Sequence, residues 1–334
     1  MTDWLKLHGT HFRQTRVLVT GGAGFIGSHL VEGLLALGAT VVALDDLSGT
    51  DGSWENLQPF KGSAGDRLTL VQGSILESET VAQSVAGCRY VFHQAALGSV
   101  PKSVAEPQRF TEVNVTGTLN VLEAARAARV ERVMFAASSS AYGDAPTLPK
   151  VETMPVLPRS PYAANKVACE AMMMAWACSY GMDTAALRYF NIFGPRQNAN
   201  SAYAAVIAAF AKAIVAGTNP VIYGDGEQSR DFTFVHNVVH ANLLAARSRE
   251  PLGGQVINIA CGTRITVNEL AVMMAQMMGR PDLKAEHHPD RAGDVKHSLA
   301  ELTRARLALG YEPIVDFPSG LKPTVAWYQQ VLGG

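Results

Sequence analysis

A glycine-rich turn near the start of the chain places the strongest constraint on its fold. Residues 16–20 (RVLVT) form a predicted strand, and residues 25–38 (FIGSHLVEGLLALG) have the apolar spacing of a helix. Between the two lie Gly21, Gly24 and Gly27. In a strand–turn–helix unit, glycines at this spacing allow a tight turn, a close approach of backbone to a pyrophosphate, and close packing of helix on strand. The turn therefore indicates a dinucleotide site, the alternative being a structural turn that binds nothing.

An acidic residue after the second predicted strand indicates which dinucleotide would bind. Asp45 lies 18 residues after Gly27 in VVALDDLSG, close to the spacing at which a carboxylate meets the adenosine ribose. Asp45 and Asp46 would repel a 2′-phosphate, and no arginine or lysine follows nearby. The sequence therefore favours NAD over NADP.

Strands and helices alternate through the first half of the chain. Further predicted strands lie at 40–44, 67–72, 89–93 and 132–136, and helical stretches lie near 76–86 and 110–128. Strands separated by helices predict a parallel sheet with helices on both faces. The predicted fold class is α/β, a Rossmann-type doubly wound parallel sheet. Residues 47–66 are expected to form a surface loop.

The second half of the chain is less regular, with more proline, glycine and irregular segments. We expect a smaller C-terminal α/β substrate domain that closes over the carboxyl edge of the sheet. The predicted boundaries are 16–190 for the NAD-binding domain, which also holds the catalytic residues, and 191–330 for the substrate domain, with some of its segments returning to the sheet.

Composition excludes several classes of protein. The net charge is −1, so no basic face for nucleic acid is expected. No apolar run reaches the roughly 18 residues of a membrane span, and residues 1–16 lack the apolar core of a secretory signal, so we expect a cytoplasmic protein. The four cysteines, Cys88, Cys169, Cys178 and Cys261, lack metal-ligand spacing and are expected to be buried thiols.

A tyrosine–lysine pair is the candidate catalytic feature. In SPYAANK, Tyr162 and Lys166 are four residues apart and share a face of a predicted helix. A lysine ammonium beside a phenol lowers the phenol's pKa, and only with such help does a phenol become a usable base. A run of three serines at 138–140, at the end of the preceding predicted strand, offers hydroxyl groups nearby.

Several segments resemble one family of enzymes over nearly the whole chain. They are TGGAGFIGSHL, HQAALGSVPKS, SSSAYGD, SPYAANK, LRYFNIFGPRQ, GDGEQSRDF and RAGDVKHS. The chain resembles the extended short-chain dehydrogenases/reductases, within them the nucleotide-sugar epimerases, and in wording most of all the bacterial UDP-N-acetylglucosamine 4-epimerases. The resemblance implies NAD-dependent inversion of a hydroxyl of a UDP-sugar, by hydride removal at C4 and return to the other face of the 4-keto sugar.

The resemblance also implies roles for particular residues. Ser138, Tyr162 and Lys166 would be catalytic, and Tyr142 would be a packing residue. The implied cofactor contacts are Gly21, Gly24, Phe25, Ile26, Gly27, Asp45, Ser74, Ile75, Gln94, Ala95, Ala96, Asn114, Tyr162, Lys166 and Tyr189. The implied substrate contacts are Gly98, Ser99, Ser139, Ser140, Asn191, Gln197, Ala205, Val206, Tyr223, Arg230, Arg291, Asp294 and Ser298.

Some of these positions carry more specific expectations. Ser74 replaces an aspartate that the family places against the adenine, so it would accept the same hydrogen bond without a charge. Arg230 and Arg291 would hold the UDP phosphates, the alternative for each being a surface ion pair. Ser139 is ranked above Ser140 as a sugar contact. Ser298 would leave room for an acetamido group where glucose-restricted epimerases carry tyrosine.

Other functions remain open from the sequence. A UDP-glucose or UDP-glucuronate 4-epimerase would share these motifs. A nucleotide-sugar dehydratase or decarboxylase is less favoured because no carboxylate follows Ser138, and a non-catalytic NAD-sensing protein is less favoured because Tyr162 and Lys166 are both present.

Two further expectations concern partners and metals. The helix from Ala163 to Cys178 is apolar almost all round, which favours a homodimer, the alternative being cover by the chain's own second domain. His287 and His288 are adjacent, so they are expected to lie in a loop rather than to bind a metal. His93 is expected to be a hydrogen-bonded structural residue.

Overall fold

A seven-stranded parallel sheet forms the centre of the computed structural model, which describes residues 2–199, 206–289 and 296–333. The seven strands of this sheet are β1 (Arg16–Thr20), β2 (Thr40–Asp45), β3 (Leu68–Gln72), β4 (Tyr90–His93), β5 (Arg132–Ser138), β6 (Asp183–Tyr189) and β11 (Gln255–Ile259). Shorter strands form two-stranded pairs outside it: β7 (Ile192–Phe193) with β10 (Thr233–Phe234), β8 (Val221–Tyr223) with β13 (Glu286–His288), and β9 (Ser229–Arg230) with β12 (Ile265–Thr266). The order across the sheet is β11-β6-β5-β4-β1-β2-β3. The predicted fold class is confirmed, and the strands predicted in the first half are present.

Helices cover both faces of this sheet. The described helices are α1 (Trp4–His8), α2 (Phe25–Ala36), α3 (Gln58–Ala64), α4 (Ser78–Val85), α5 (Val100–Ala105), α6 (Pro107–Thr111), α7 (Gly117–Ala127), α8 (Pro161–Tyr180), α9 (Val206–Val215), α10 (Val235–Arg247), α11 (Val267–Met277), α12 (Thr303–Leu309) and α13 (Phe317–Leu332). Of these, α9, α11 and α13 belong to a separate core in the C-terminal half. Among the described residues, no helix is both long enough and apolar enough to cross a membrane.

The alternation of side chains along the strands builds two cores. Val17 and Val19 of β1 point into the core beneath α2 and α10, whereas Leu18 points into the core beneath α4, α7 and α8. Successive strand residues face opposite sides, so a strand covered by helices on both sides is apolar throughout. Helix α10 and strand β11 come from the second half of the chain but belong to this central unit.

A third core lies in the C-terminal half. It contains Phe193, Phe210 and Leu270 from β7, α9 and α11, together with Phe317 and Tyr328 from α13. This core is separate from the two that flank the sheet. The division at 190/191 itself remains a prediction.

The predicted loop at 47–66 is only partly a loop. A short 3₁₀ turn runs over Trp54–Leu57 and is followed directly by α3. The side chain of Leu57 is fully buried in the core beneath α2. The apolar residues Trp54, Leu57 and Phe60 recur every three residues, which is the helical signal that outweighs the polar composition.

Two other local predictions need correction. Cys178 is exposed near the end of α8, and Cys261 is only partly buried, whereas Cys88 and Cys169 are buried as expected. His287 and His288 lie in the short exposed strand β13, which pairs with β8, rather than in a loop.

Residues 2–15 pack against the outside of the central unit. Trp4 and Phe12 are buried in the core beneath α2 and α10. The ring nitrogens of His8 and His240 lie 3.0 Å apart, and Thr2 Oγ1 lies 2.7 Å from the ring of His236. The segment before β1 is thus an integral part of this core.

Helix α8 has one buried and one exposed face. Ser160 accepts a hydrogen bond from the backbone N–H of Ala163, and Pro161 occupies the first turn, so the helix begins at a defined point. The face on the sheet is buried. The opposite face is exposed and is lined by Ala164, Ala168, Ala171 and Ala175. The described part of the C-terminal half therefore leaves this face of α8 uncovered.

Candidate active site

A cavity of about 460 Å³ lies along the glycine turn and the carboxyl ends of the neighbouring strands. Many of the predicted site residues line it: Gly21, Gly24, Phe25, Ile26, Gly27, Asp45, Ile75, Gln94, Ala95, Ala96, Gly98, Ser99, Tyr162, Lys166, Tyr189 and Gln197. Clefts at the carboxyl ends of parallel strands are where such sheets bind ligands. The structure therefore brings the glycine turn and the pair of Tyr162 and Lys166 to the same cavity.

The glycine turn needs its glycines for steric reasons. Gly21 has φ +66°, and a Cβ there would lie 2.7 Å from the backbone nitrogen of Ala95. A Cβ on Gly27 would overlap the carbonyl oxygen of Gly21, so the helix can approach the turn this closely only without a side chain. The turn thereby stays tight and its backbone stays accessible.

The carboxylate of Asp45 accepts hydrogen bonds that hold the same turn in place. One carboxylate oxygen accepts the backbone N–H of Ala23 at 2.9 Å, and the other accepts that of Leu47 at 2.9 Å. Burial raises the pKa of this carboxyl, and the two backbone hydrogen bonds oppose the rise. Asp45 therefore holds the glycine turn to the end of β2 in addition to lining the cavity.

The cavity has the features that a dinucleotide requires. Helix α2 begins at Gly24 without a side-chain cap, so its first N–H groups are available to an anion in the cavity. The Oε1 atom of Gln197 is buried and lacks a hydrogen-bond partner among the residues that the structure describes. An uncapped helix, a glycine cradle and an unpaired acceptor fit a phosphate-bearing ligand with hydroxyl donors.

Tyr162 and Ser138 meet at the end of β5. The Ser138 side chain lies within hydrogen-bonding reach of the Tyr162 hydroxyl, and it accepts from Ser140 Oγ at 2.9 Å. Burial raises the pKa of Tyr162, and the Ser138 hydrogen bond opposes the rise. Three hydroxyl groups thus form a chain, with Ser140 rather than Ser139 next to Ser138.

Lys166 lies close to the tyrosine but bonds elsewhere. Its Nζ donates to the carbonyl oxygen of Ala136 at 2.7 Å and lies 5.9 Å from the centroid of the Tyr162 ring. Burial lowers the pKa of Lys166 to about 8, and Cys169 and Glu170 oppose this. The lowering of the Tyr162 pKa expected from Lys166 is not seen: burial is the largest influence and raises this pKa, and the ammonium lies 5.9 Å from the ring centroid.

Two residues near the site have the structural roles expected of them. Tyr142 is buried, and its hydroxyl donates to Asn258 Oδ1 at 2.7 Å. The ring of His93 lies between Thr20 Oγ1 and Thr118 Oγ1, at 2.7 and 2.9 Å. Burial lowers the pKa of His93 to about 3, so the ring is neutral at ordinary pH.

A second group of predicted residues lies where the C-terminal half meets β6. The Asn191 amide donates to Ser298 Oγ at 3.1 Å and to the backbone carbonyl of Asp231 at 3.2 Å. The Arg230 guanidinium donates to the carbonyl oxygens of Ser229 and Lys296, both at 3.1 Å. These contacts bring Asn191, Arg230 and Ser298 together.

The remaining predicted residues are less directly placed. Ser74 Oγ accepts the backbone N–H of Leu76 at 3.3 Å, and the Asn114 amide bonds both backbone groups of Leu97, so neither side chain lines the cavity. Val206 begins α9 and Tyr223 ends β8, away from the cavity wall. Three predicted contacts lie outside the described residues: Ala205, Arg291 and Asp294.

Sequence reasoning missed part of the cavity wall. The segment 46–52 lines one side, and Asn198 donates its backbone N–H to Asp51 at 2.8 Å across the opening. Lys102 and Arg109 supply positive charge nearby. The weak signal for the segment is DDLSGTDG, in which small and acidic residues directly follow the strand that ends at Asp45.

Comparison with known proteins identifies the family. The model of the NAD dependent epimerase/dehydratase family matches residues 17–260. The chain belongs to this family. The predicted enzyme class and the predicted cofactor, NAD, are thereby confirmed.

Individual relatives cover almost the whole chain. A UDP-glucose 4-epimerase of Mycolicibacterium smegmatis is 41% identical over 316 residues, covering 94% of this chain and 98% of that protein. A dTDP-glucose 4,6-dehydratase of Streptomyces niveus is 34% identical, with coverages of 94% and 93%. The solved UDP-N-acetylglucosamine 4-epimerase of Methanobrevibacter ruminantium, in complex with UDP-N-acetylmuramic acid, is 40% identical with a TM-score of 0.89 and coverages of 96% and 99%.

Proposed function

We propose that this chain is a UDP-sugar 4-epimerase that uses NAD and prefers the pair UDP-N-acetylglucosamine and UDP-N-acetylgalactosamine. The observation that carries the proposal is the position of Tyr162 and Lys166 at the wall of the glycine-turn cavity, with Ser138 next to Tyr162. Relatives that act on UDP-glucose and UDP-N-acetylglucosamine support the choice of UDP-sugars.

The residues after Ser138 favour epimerisation over dehydration. Eliminating water from a sugar requires an additional acid and base beside the reacting hydroxyl. In this chain the two residues that follow Ser138 are Ser139 and Ser140, neither of which carries a carboxylate. Ser140 Oγ donates a hydrogen bond to Ser138 Oγ. Hydroxyl groups with ordinary acidity can relay a proton but cannot replace a carboxylate pair.

The cofactor would be held by the residues around the glycine turn. The N–H groups that begin α2 would bind its pyrophosphate, and Asp45 its adenosine ribose. Bound NAD supplies a hydride acceptor and donor for C4 of the sugar. Tyr162, Lys166 and Tyr189 line the cavity where its reactive end would lie.

The chain's own groups would move the proton. Tyr162, as phenolate, removes the proton from the C4 hydroxyl, while Ser138 orients that hydroxyl and Ser140 orients Ser138. Lys166, when protonated, favours the phenolate. After the 4-keto sugar turns over, Tyr162 returns the proton to the oxygen at C4. Because the hydride that NAD would accept from C4 would return to the same carbon, the reaction has no net redox change.

The preference for acetylated sugars depends on Ser298. A small side chain there leaves volume for an acetamido group, and the hydroxyl held by Asn191 can hydrogen-bond it. The solved relative that contains UDP-N-acetylmuramic acid, an acetylated sugar with a bulky C3 substituent, supports a roomy pocket of this type. We further propose that residues 191–330 mainly bind the nucleotide sugar, with Arg230 near its phosphates.

The exposed alanine face of α8 supports the predicted homodimer. Ala164, Ala168, Ala171 and Ala175 recur at helical spacing, and Met174 on the same helix is 43% exposed. Two copies of the chain could approach closely along this face, because alanine side chains are small. Light scattering on the purified protein tests this: a dimer that dissociates in Ala168→Glu supports it, and a wild-type monomer contradicts it.

The substrate assignment is tested by separate incubations with UDP-glucose, UDP-N-acetylglucosamine and UDP-glucuronate, with the products identified by NMR. The proposal expects 4-epimers from the first two and faster turnover of the acetylated sugar. A 4-keto-6-deoxy product would indicate a dehydratase instead, and turnover of UDP-glucuronate alone would indicate that epimerase.

A further inference from the structure

One arginine joins the two elements that carry the candidate proton-transfer groups. Arg188 of β6 donates from Nε and Nη2 to the two carboxylate oxygens of Glu170 on α8, at 2.8 and 2.6 Å. Both side chains are almost fully buried, with 3% and 5% exposure. A bidentate pair of this kind restricts both orientation and distance.

The same guanidinium also contacts the serine turn. It lies over the ring of Tyr142, 4.6 Å from the centroid, and Tyr142 ends the short turn that begins at Ser139. The Tyr142 hydroxyl is fixed by Asn258 of β11. Arg188 is therefore held between α8, which carries Tyr162, and the turn that follows Ser138.

The helix transmits the position of Glu170 to the candidate base. Glu170 lies one helical turn after Lys166 and eight residues after Tyr162, and all three belong to the same unbroken helix. Residues four apart share a face, so Glu170 is on the Lys166 side. A shift of the helix along β6 would displace Tyr162 from Ser138.

Glu170 is also the anion among the ionisable groups around Lys166. On α8 these groups are Tyr162, Cys169 and Glu170. Strand β4 contributes His93, and β6 contributes Arg188 through its pair with Glu170. Of the described β5 residues, those in contact with Lys166 present the Phe135 ring and the carbonyl of Ala136, neither of which is ionisable.

Apart from Arg188, which is paired with Glu170, the other neighbours do not supply a charge. Burial raises the pKa of the Cys169 thiol and lowers that of His93 to about 3, so both are neutral near pH 7. Glu170 therefore provides the electrostatic stabilisation that opposes the burial of the Lys166 ammonium.

We propose that Arg188 and Glu170 are positioning residues for the reaction: their ion pair fixes α8 against the serine turn, and the Glu170 carboxylate keeps Lys166 protonated beside Tyr162. The catalytic part of this inference rests on the proposed function. The charge of Glu170 and the position of α8 can be altered by different substitutions, so the two roles can be measured separately.

Glu170→Gln tests the charge. It preserves the shape and an acceptor for Arg188 but removes the negative charge near Lys166. The limb of the pH profile of kcat that reports the Lys166 pKa should move to lower pH by about half a unit. Because an unpaired buried arginine can destabilise the fold, the double variant Glu170→Gln/Arg188→Gln, which removes both charges, should show the same shift.

Arg188→Lys tests the position. Lysine keeps the charge but loses the planar two-bond geometry. The limb that reports the Lys166 pKa should stay in place, while kcat falls by roughly 10-fold or more with little change in KM, because Tyr162 and Ser138 are less well aligned. A purely structural role would change only the melting temperature and leave kcat and the pH profile as they are.

A measurement that does not depend on enzymatic activity distinguishes a failure of this inference from a failure of the proposed function. The protein is labelled with ¹⁵Nζ-lysine, and the Lys166 signal is assigned by its loss in Lys166→Met. Its titration midpoint should be lower in both Glu170 variants than in wild type. If wild type lacks epimerase activity, the proposed function fails and this titration still decides the Lys166–Glu170 coupling. An unchanged midpoint, or wild-type kcat in Arg188→Lys, overturns the inference.

Discussion

The Asn191 amide donates a hydrogen bond to the Ser298 hydroxyl at 3.1 Å, joining positions 107 residues apart. Asn191 has φ +39°, a conformation that asparagine tolerates better than most residues, and its amide is also fixed to the backbone of Asp231. Ser298 is therefore held beside the end of β6. A larger side chain at 298 has to displace this arrangement or occupy the space next to it.

Ser298→Tyr should reduce turnover of UDP-N-acetylglucosamine and spare UDP-glucose. A tyrosine ring would overlap the acetamido group, and close-packed walls yield little. The measurement is kcat/KM for both sugars, with Ser298→Ala as the control that removes the hydroxyl without adding volume. An equal loss for both sugars would show that position 298 does not select by size.

Tyr162→Phe should keep the fold and bound NAD but lower epimerisation by at least about 10²-fold, the scale of general-base catalysis. Tyr142→Phe is the matched control, because it removes a phenol hydroxyl bound to Asn258 at 2.7 Å rather than one bound to Ser138. The control should lose far less activity. Near-normal turnover in Tyr162→Phe would remove Tyr162 from the mechanism.

Lys166→Met should move the acidic limb of the pH–rate profile to higher pH. Burial raises the pKa of Tyr162, and loss of the ammonium leaves its phenolate still less favoured. The limb that reflects the Lys166 pKa of about 8 should also disappear. A profile identical to wild type would separate Lys166 from Tyr162.

Gly27→Ala should destabilise the protein by about 1–3 kcal/mol, because its Cβ would overlap the carbonyl oxygen of Gly21. The displaced turn should also release NAD. Gly62→Ala is the control, since nothing lies within 4 Å of a Cβ in that helix and the change should be neutral or slightly stabilising. Thermal unfolding and NAD content measure both effects, and equal behaviour of the two variants would contradict the steric account.

Acid should loosen the segment before β1. Burial lowers the pKa of His236 and His240 to about 4 in the folded protein, from an ordinary value of 6.5. The unfolded chain binds these protons first, so stability is complete above about pH 6.5 and falls as the pH drops towards 4. Urea unfolding at several pH values should show this slope, and it should be shallower in His240→Asn. An equal slope in that variant would exclude His240 as a contributor.

Local patterns in the sequence predict the glycine turn, the strands around it and the pairing of Tyr162 with Lys166 on one helix. They do not predict β11, whose partner β6 ends 66 residues earlier, because the signal for a strand pair is long-range. The position of Asp51 against Asn198 is decided in the same way, by a contact across 147 residues. The sequence led us to expect a lowered pKa for Tyr162, whereas burial raises it. The four-residue spacing shows that Lys166 is near, but burial of the phenol can be seen only in the folded structure.

The most direct test follows a deuterium label at C4. The protein with bound NAD is incubated with UDP-N-acetylglucosamine carrying deuterium at C4, and the products are examined by proton NMR. We expect UDP-N-acetylgalactosamine that retains the deuterium at C4, because the hydride leaves and returns within one closed site. Absence of the epimer, a dehydrated product, or loss of the label to water would contradict it.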